Sequence, residues 1–183
     1  MKTFKPRLKA RLRKNRQVLN KNIDNFFGWV KGAKLVELKE CNTEEDPVRP
    51  ELDNEFRTGY GRKIYGVEYQ GEIYAVMCFA YTNEIPKSVD ELEKLSTDAF
   101  LQSAMRDQSG GQIAIAYTVW SKKKGGGKLI VKEVFKKIKK SNHLNRLITL
   151  SPLTEMATKF HSNNGAKLIQ INETTQNFEY KVM

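Results

Sequence analysis

The sequence predicts an α/β or α+β sandwich: a mixed, mostly antiparallel sheet of about six to seven strands flanked by helices. Three observations predict it. Two runs rich in tyrosine and β-branched residues flank Gln70–Gly71, as in a hairpin. The apolar period turns helical between residues 86 and 108. From residue 112 the order reads strand, helix, strand, helix, strand, strand. Two strands joined through a helix lie parallel, with a right-handed crossover.

Leu8, Leu12, Leu19, Ile23, Phe27 and Val30 share one side of a helix within residues 5–31, weakened at its end by Gly28 and Gly32. Lys34 to Cys41 alternates as a strand. Residues 42–55 are acidic, with Pro47 and Pro50, and read as a loop or short helix. Ile64, Val67 and Tyr69, then Ile73 to Tyr81, form the hairpin. Ser88 is the expected N-cap of the next helix, with Glu91 three positions on. Leu92, Leu95, Ala99, Leu101 and Met105 give that helix its apolar side, and Gly110–Gly111 ends it. Residues 112–120 are a buried strand, 121–127 a loop and 128–140 an amphipathic helix. Residues 146–150 are a short strand broken by Ser151 and Pro152. Thr154 to Ser162 is a helix ending at Gly165, a residue suited to a left-handed position. Residues 167–172 and 178–182 complete the sheet. The domain reading is a basic helical extension over 1–33 and one domain over 34–183, with 86–111 a helical insertion between the third and fourth strands.

The net charge of +11 over 183 residues is concentrated in two places. Residues 1–21 hold nine Lys and Arg and no acid, and residues 121–140 hold nine lysines against Glu133 alone. The remainder is mildly acidic. The first segment reads as a solvated helix face or as an arm for a membrane surface or for nucleic acid, the latter by phosphate contact without base stacking. Cys41 and Cys78 lie far apart and have no CxxC partner. With only His143 and His161 beside them, no structural zinc site is expected, and the compartment reads as reduced and cytoplasmic. No apolar run reaches bilayer length and none follows the basic N-terminus, so neither a membrane span nor a secretory signal is expected.

The second basic segment contains glycines after a strand and before a helix, the parts of an anion site. The P-loop code fails, because Leu129 follows Gly127–Lys128 and Lys122 stands where its first glycine belongs. The dinucleotide code fails at Ile130. The surviving match is Gln/Arg-x-x-Gly-x-Gly/Ala before an aliphatic residue: Lys122, Lys123, Lys124, Gly125, Gly126, Gly127, with Ile130 after. It resembles the coenzyme A pyrophosphate loop of the GNAT superfamily of acyltransferases. Ala157, Phe160, His161, Gly165 and Ala166 resemble that superfamily's Ala-x-x-Phe-Tyr-x-x-x-Gly-Phe pattern, and the order of elements over residues 34–183 is similar. Lys122 replaces the usual Gln or Arg, and His161 stands where a tyrosine often serves as general acid.

The resemblance implies an acyltransferase that passes an acyl group from acetyl coenzyme A, or another acyl coenzyme A, to an amine of unknown identity. The loop Lys122–Lys124, Gly125–Gly127 and Lys128 would hold the pyrophosphate. A backbone amide near Val119 would polarise the thioester, and His161 would protonate the thiolate. Glu68, Tyr69, Tyr81 and Tyr117 are candidate bases by chemistry alone. No metal is implied. Trp120, Met77, Met105, Met156 and Cys78 read as packing, and His161 as either a catalytic group or a hydrogen-bonded helix histidine. The alternative function is a catalytically degenerate protein of this fold that binds coenzyme A or nucleic acid.

Overall fold

The computed structural model describes residues 28–105 and 110–181. Two compact units divide the chain, Met1–Lys34 and Leu35–Met183. The basic arm at 1–21 and most of the helix expected at 5–31 lie outside the described residues. Residues 28–32 are helical.

The elements are β1 (Lys34–Leu38), α1 (Asn54–Thr58), β2 (Lys63–Tyr69), β3 (Glu72–Thr82), α2 (Val89–Met105), β4 (Ile113–Ser121), α3 (Gly126–Lys139), β5 (Arg146–Thr149), β6 (Ser151–Pro152), α4 (Glu155–Asn163), β7 (Lys167–Ile171) and β8 (Thr175–Tyr180). Local chemistry sets the boundaries. Gln70 and Gly71 both take positive φ, 54° and 81°, as a two-residue hairpin turn between β2 and β3 demands. Glu91 N–H donates to Ser88 Oγ at 3.1 Å, and the Glu91 carboxylate accepts from Lys87 N–H at 2.6 Å, which starts α2. Thr154 Oγ1 accepts from Ala157 N–H at the start of α4. Gly165, at φ 87°, ends that helix, with Ala166 N–H donating to His161 O at 3.0 Å.

Among the described residues the sheet has eight strands in the order β1-β2-β3-β4-β5-β8-β6, with β7 paired to β8. All described pairings within β2–β8 are antiparallel except β4 with β5. On one face Leu92 of α2 joins Ile64, Val76, Cys78, Ile115 and Ile148 in a closed core cluster. α3 meets the other parity of the strands: Lys137 lies over the Tyr65 ring, and Gly126 is against Ala75. α3 buries Leu129, Ile130, Val134 and Ile138 there.

The parallel pair is short. It runs from Ile113↔Arg146 to Ala116↔Thr149, and Leu150 N–H donates to Ala116 O at 2.9 Å. At Tyr117 a bulge interrupts the β3–β4 register, since Cys78 pairs with Thr118 and Phe79 with Ala116. Past that point the chain leaves β5 to form β6, which pairs with β8. β4 and β5 therefore part, leaving a gap in the sheet.

Several expectations are corrected. Leu101 is exposed rather than inward, and Ser96 and Ser103 occupy the buried side of α2, where Ser96 Oγ accepts from Arg62 Nη1 at 3.0 Å. The side chain of Met105 lies outside the described residues. Met156 is 75% exposed, so it is not core. Ser151 and Pro152 do not simply break a strand but pair as β6, and β8 begins at Thr175 rather than Phe178.

Candidate functional site

The gap between β4 and β5 opens into a cavity of about 610 Å3. Its walls include Met77 of β3, Val119 of β4, Gly127 of α3, and Phe160 and His161 of α4. The lining is predominantly apolar, so a thioester or acyl chain fits it better than a charged group does.

A buried guanidinium holds the gap in shape. Arg49 Nε donates to Tyr117 O at 2.9 Å, and its Nη2 donates to Leu150 O at 2.8 Å, so one side chain bridges the diverging strands. Arg49 itself sits on a strap that Asp46 ties down. The Asp46 carboxylate accepts from Val48 N–H, Arg49 N–H, Thr118 Oγ1 and Arg57 Nη2. Arg57 is fully buried, and it also donates to Leu52 O, Arg49 O and Cys78 Sγ.

Val119 stands at the gap with its backbone amide turned toward it. Lys122 N–H donates to Tyr74 O of β3 at 2.8 Å. Strand alternation then turns the amides of Trp120 and Thr118 to β3 as well, and that of Val119 to the opposite edge, where β5 has left.

The glycine loop lies at one end of the cavity. Gly125 is the N-cap of α3 at φ 86°, a conformation that costs glycine little, and it offers no side-chain cap to the first turn. A Cβ on Gly126 would stand 3.0 Å from Ser121 Cβ and 3.3 Å from Ala75 Cβ. A Cβ on Gly127 would stand 3.1 Å from the Phe160 ring. The three glycines thus form a bare cradle at a helix N-terminus, which fits a phosphate ligand. The lysines split up. Lys122 lines the cavity and pairs with Glu45 at 2.8 Å. Lys123 turns to the hairpin, 4.7 Å from the Tyr74 centroid and 5.3 Å from that of Tyr69. Lys124 and Lys128 are exposed and do not line this cavity.

His161 is buried in the cavity wall among hydroxyl groups. Its Nε2 lies 2.8 Å from Ser151 Oγ, and its Nδ1 lies 3.0 Å from the Tyr180 hydroxyl. Ser151 Oγ is 3.0 Å from Thr149 Oγ1. The ring stacks on Phe178 at 5.1 Å. Burial disfavours the imidazolium and lowers the His161 pKa to about 4, so the ring is neutral at pH 7. A neutral imidazole cannot serve as a standing acid, which alters the role expected for it. The folded-state value lies below the unfolded value of about 6.5, so the unfolded chain binds more protons between the two. Stability is expected to fall as pH drops from about 6.5 toward 4, by at most about 1.4 kcal/mol per pH unit from this residue. Urea unfolding of the parent and of His161→Gln across that window measures it; the variant should lose less stability on acidification.

The candidate bases scatter. Glu68, Tyr69 and Tyr81 do not line the cavity. Burial raises the Tyr81 pKa and that of Tyr117, which packs edge-on to Phe56 in the core. Neither ionises readily. Trp120 is buried in the core cluster. The residues missed from the sequence are Arg49, Asp46, Arg57, Ser151 and Tyr180. Among the described residues no group of three His, Cys, Asp or Glu could hold a metal ion, and no helix is long and apolar enough to cross a membrane.

No family model and no curated protein matches the sequence. Solved structures do match the fold. A GNAT-like decarboxylase, GphF, in complex with isobutyryl-CoA, superposes with a TM-score of 0.64 at 9% identity, over 82% of this chain and 100% of that one. Malonyl-CoA decarboxylase from Cupriavidus metallidurans gives 0.60 at 14% identity, over 90% of this chain and 65% of that one. An acetyltransferase from Bacillus subtilis in complex with CoA gives 0.56 at 13% identity, over 82% and 99%. These likenesses show the fold: the chain folds as GNAT-like proteins do.

Proposed function

We propose that the protein binds an acyl-coenzyme A thioester and transfers its acyl group to an amine. The observation that supports this most is the bare glycine cradle at the start of α3, set beside an apolar cavity that opens where β4 and β5 part. The first-turn N–H groups of α3 would face the pyrophosphate, with Lys122 adding charge. The Val119 amide, turned to the gap, would donate to the thioester oxygen, where negative charge develops during attack. Coenzyme A supplies a thiolate leaving group on an activated carbonyl. Lys123, Lys124 and Lys128 would act at most through the electrostatic field of the loop.

A second reading has its own support. Among the described residues, the only carboxylate in the cavity lining is Glu45, which is paired with Lys122. Loss of carbon dioxide from a carboxyacyl thioester needs no base; it needs an apolar wall around the carboxylate and a donor for the enolate oxygen. The same Val119 amide could serve there. Incubation with acetyl-CoA and a panel of primary amines, and separately with malonyl-CoA, decides between them by mass spectrometry. Amide product with free thiol is expected. Conversion of malonyl-CoA to acetyl-CoA without amide product would favour the second reading, and no conversion of either would contradict both.

A further inference from the structure

The acyl-transfer reading lacks a base to remove the proton from the attacking amine, and a neutral His161 removes the acid expected to protonate the thiolate. The hydroxyl groups around His161 offer both. Ser151 Oγ, the two imidazole nitrogens and the Tyr180 hydroxyl form a continuous hydrogen-bonded chain with links of 2.8 and 3.0 Å. The inner end, Ser151, lines the acyl cavity. At the outer end Tyr180 lines that cavity and also a second one of about 500 Å3, bordered by Lys128, Lys132, Asn164 and Lys181. Thr149 Oγ1 accepts from Phe178 N–H at 3.1 Å and from the Ser151 hydroxyl at 3.0 Å, so that hydroxyl turns from Thr149 to Nε2 when the relay takes up a proton. Tyr180 thus stands at the border of both cavities.

We propose that Ser151, His161 and Tyr180 form a proton relay that takes the proton of the attacking amine and returns it to the departing thiolate. The imidazole passes protons between its two nitrogens throughout. This rests on the acyl-transfer reading and supplies its missing proton path. As the C–N bond forms, the amine N–H proton goes to Ser151 Oγ, and the Ser151 proton goes to Nε2. The Nδ1 proton goes to the Tyr180 oxygen, and the Tyr180 proton goes to water at the second opening. As the C–S bond breaks, the same transfers run in reverse and end on sulfur. Amine and thioester become amide and thiol, no net proton is gained or lost, and every relay group returns to its starting form.

The surroundings suit a carrier that holds no charge. Among the described residues, the hydrogen-bond and ring partners of the imidazole are the hydroxyls of Ser151 on β6 and Tyr180 on β8, and the rings of Phe160 on α4 and Phe178 on β8. None is charged. Burial depresses the His161 pKa and raises that of Tyr180, so neither group stores an ion at pH 7, whereas both can exchange one proton for another.

The test uses the full chain, with coenzyme A alone for the spectrum and with acetyl-CoA and benzylamine for turnover. Nitrogen NMR of the His161 ring should show both neutral tautomers in exchange between pH 6 and 8. Tyr180→Phe should leave one fixed tautomer, lower kcat about 100-fold and leave the KM for acetyl-CoA unchanged. The parental kcat should show no ionisation near 6.5. A single fixed tautomer in the parent, together with a parental kcat in Tyr180→Phe, would overturn the relay. Amide formation by the parent judges the acyl-transfer reading, and the spectrum, taken without a reaction, judges the relay.

Discussion

Asp46→Ala is expected to destabilise the protein by about 3–5 kcal/mol, the range for breaking a fully buried ion pair from one side. Both partners of the Asp46–Arg57 pair have fully buried side chains, at 2.9 Å. The variant leaves the Arg57 cation without its counter-charge. It also strips an acceptor from Thr118 Oγ1 and from the amides of Val48 and Arg49. Arg57 still donates to two carbonyls and to Cys78 Sγ, so it cannot easily leave for water. Urea denaturation measures the loss. Asp46→Leu combined with Arg57→Met should recover a substantial part of it, because paired removal of buried charge leaves no orphan. A loss below about 1 kcal/mol for Asp46→Ala, within the range of surface ion pairs, would show that the strap is solvated.

This strap separates what the sequence reveals from what it hides. The sheet was legible because its apolar positions alternate, and the turns because Gly71, Gly125 and Gly165 stand where positive φ is needed. The Ser88–Glu91 start of α2 was legible as a local pattern. Asp46 and Arg49 lie in the acidic, proline-containing stretch 42–55, which reads as a loop or short helix, and Arg57 follows just after it. Their partners are remote: Arg49 bonds Tyr117 and Leu150, 68 and 101 positions away. No periodicity reports such a bond. The same holds for Tyr180, 19 positions from His161 and brought to it by β8. Leu101 misled because its spacing fits the apolar face, whereas Arg62 needs a hydroxyl partner at Ser96 on the buried side of α2. His161 could be placed by its spacing from Ala157 and Gly165. Its charge state could not, since that depends on burial.

Gly127→Leu carries the other large expected effect: a loss of at least about 100-fold in coenzyme A affinity, near 2.7 kcal/mol. The new side chain starts 3.1 Å from the Phe160 ring, on the cavity wall and in the first turn of α3. It would fill the space between α3 and α4 through which a ligand on the cradle reaches the gap. The ring of Phe160 is half-buried and can turn aside, and Gly127 has no left-handed φ to lose. The fold should therefore survive, with an unfolding midpoint in urea close to the parent's. Gly126→Leu is a poorer probe, because its Cβ would stand 3.0 Å from Ser121 Cβ and 3.3 Å from the Cβ of the buried Ala75, both held by the sheet.

The most direct test of the account is calorimetric titration of coenzyme A into the full chain and into Gly127→Leu under the same salt conditions. One site per chain is expected in the parent, with affinity that weakens as salt rises because Lys122 and the α3 terminus meet phosphate. No measurable heat is expected in the variant. Absence of binding in the parent at millimolar coenzyme A, or equal binding by the two proteins, would rule out the glycine cradle as a coenzyme A site.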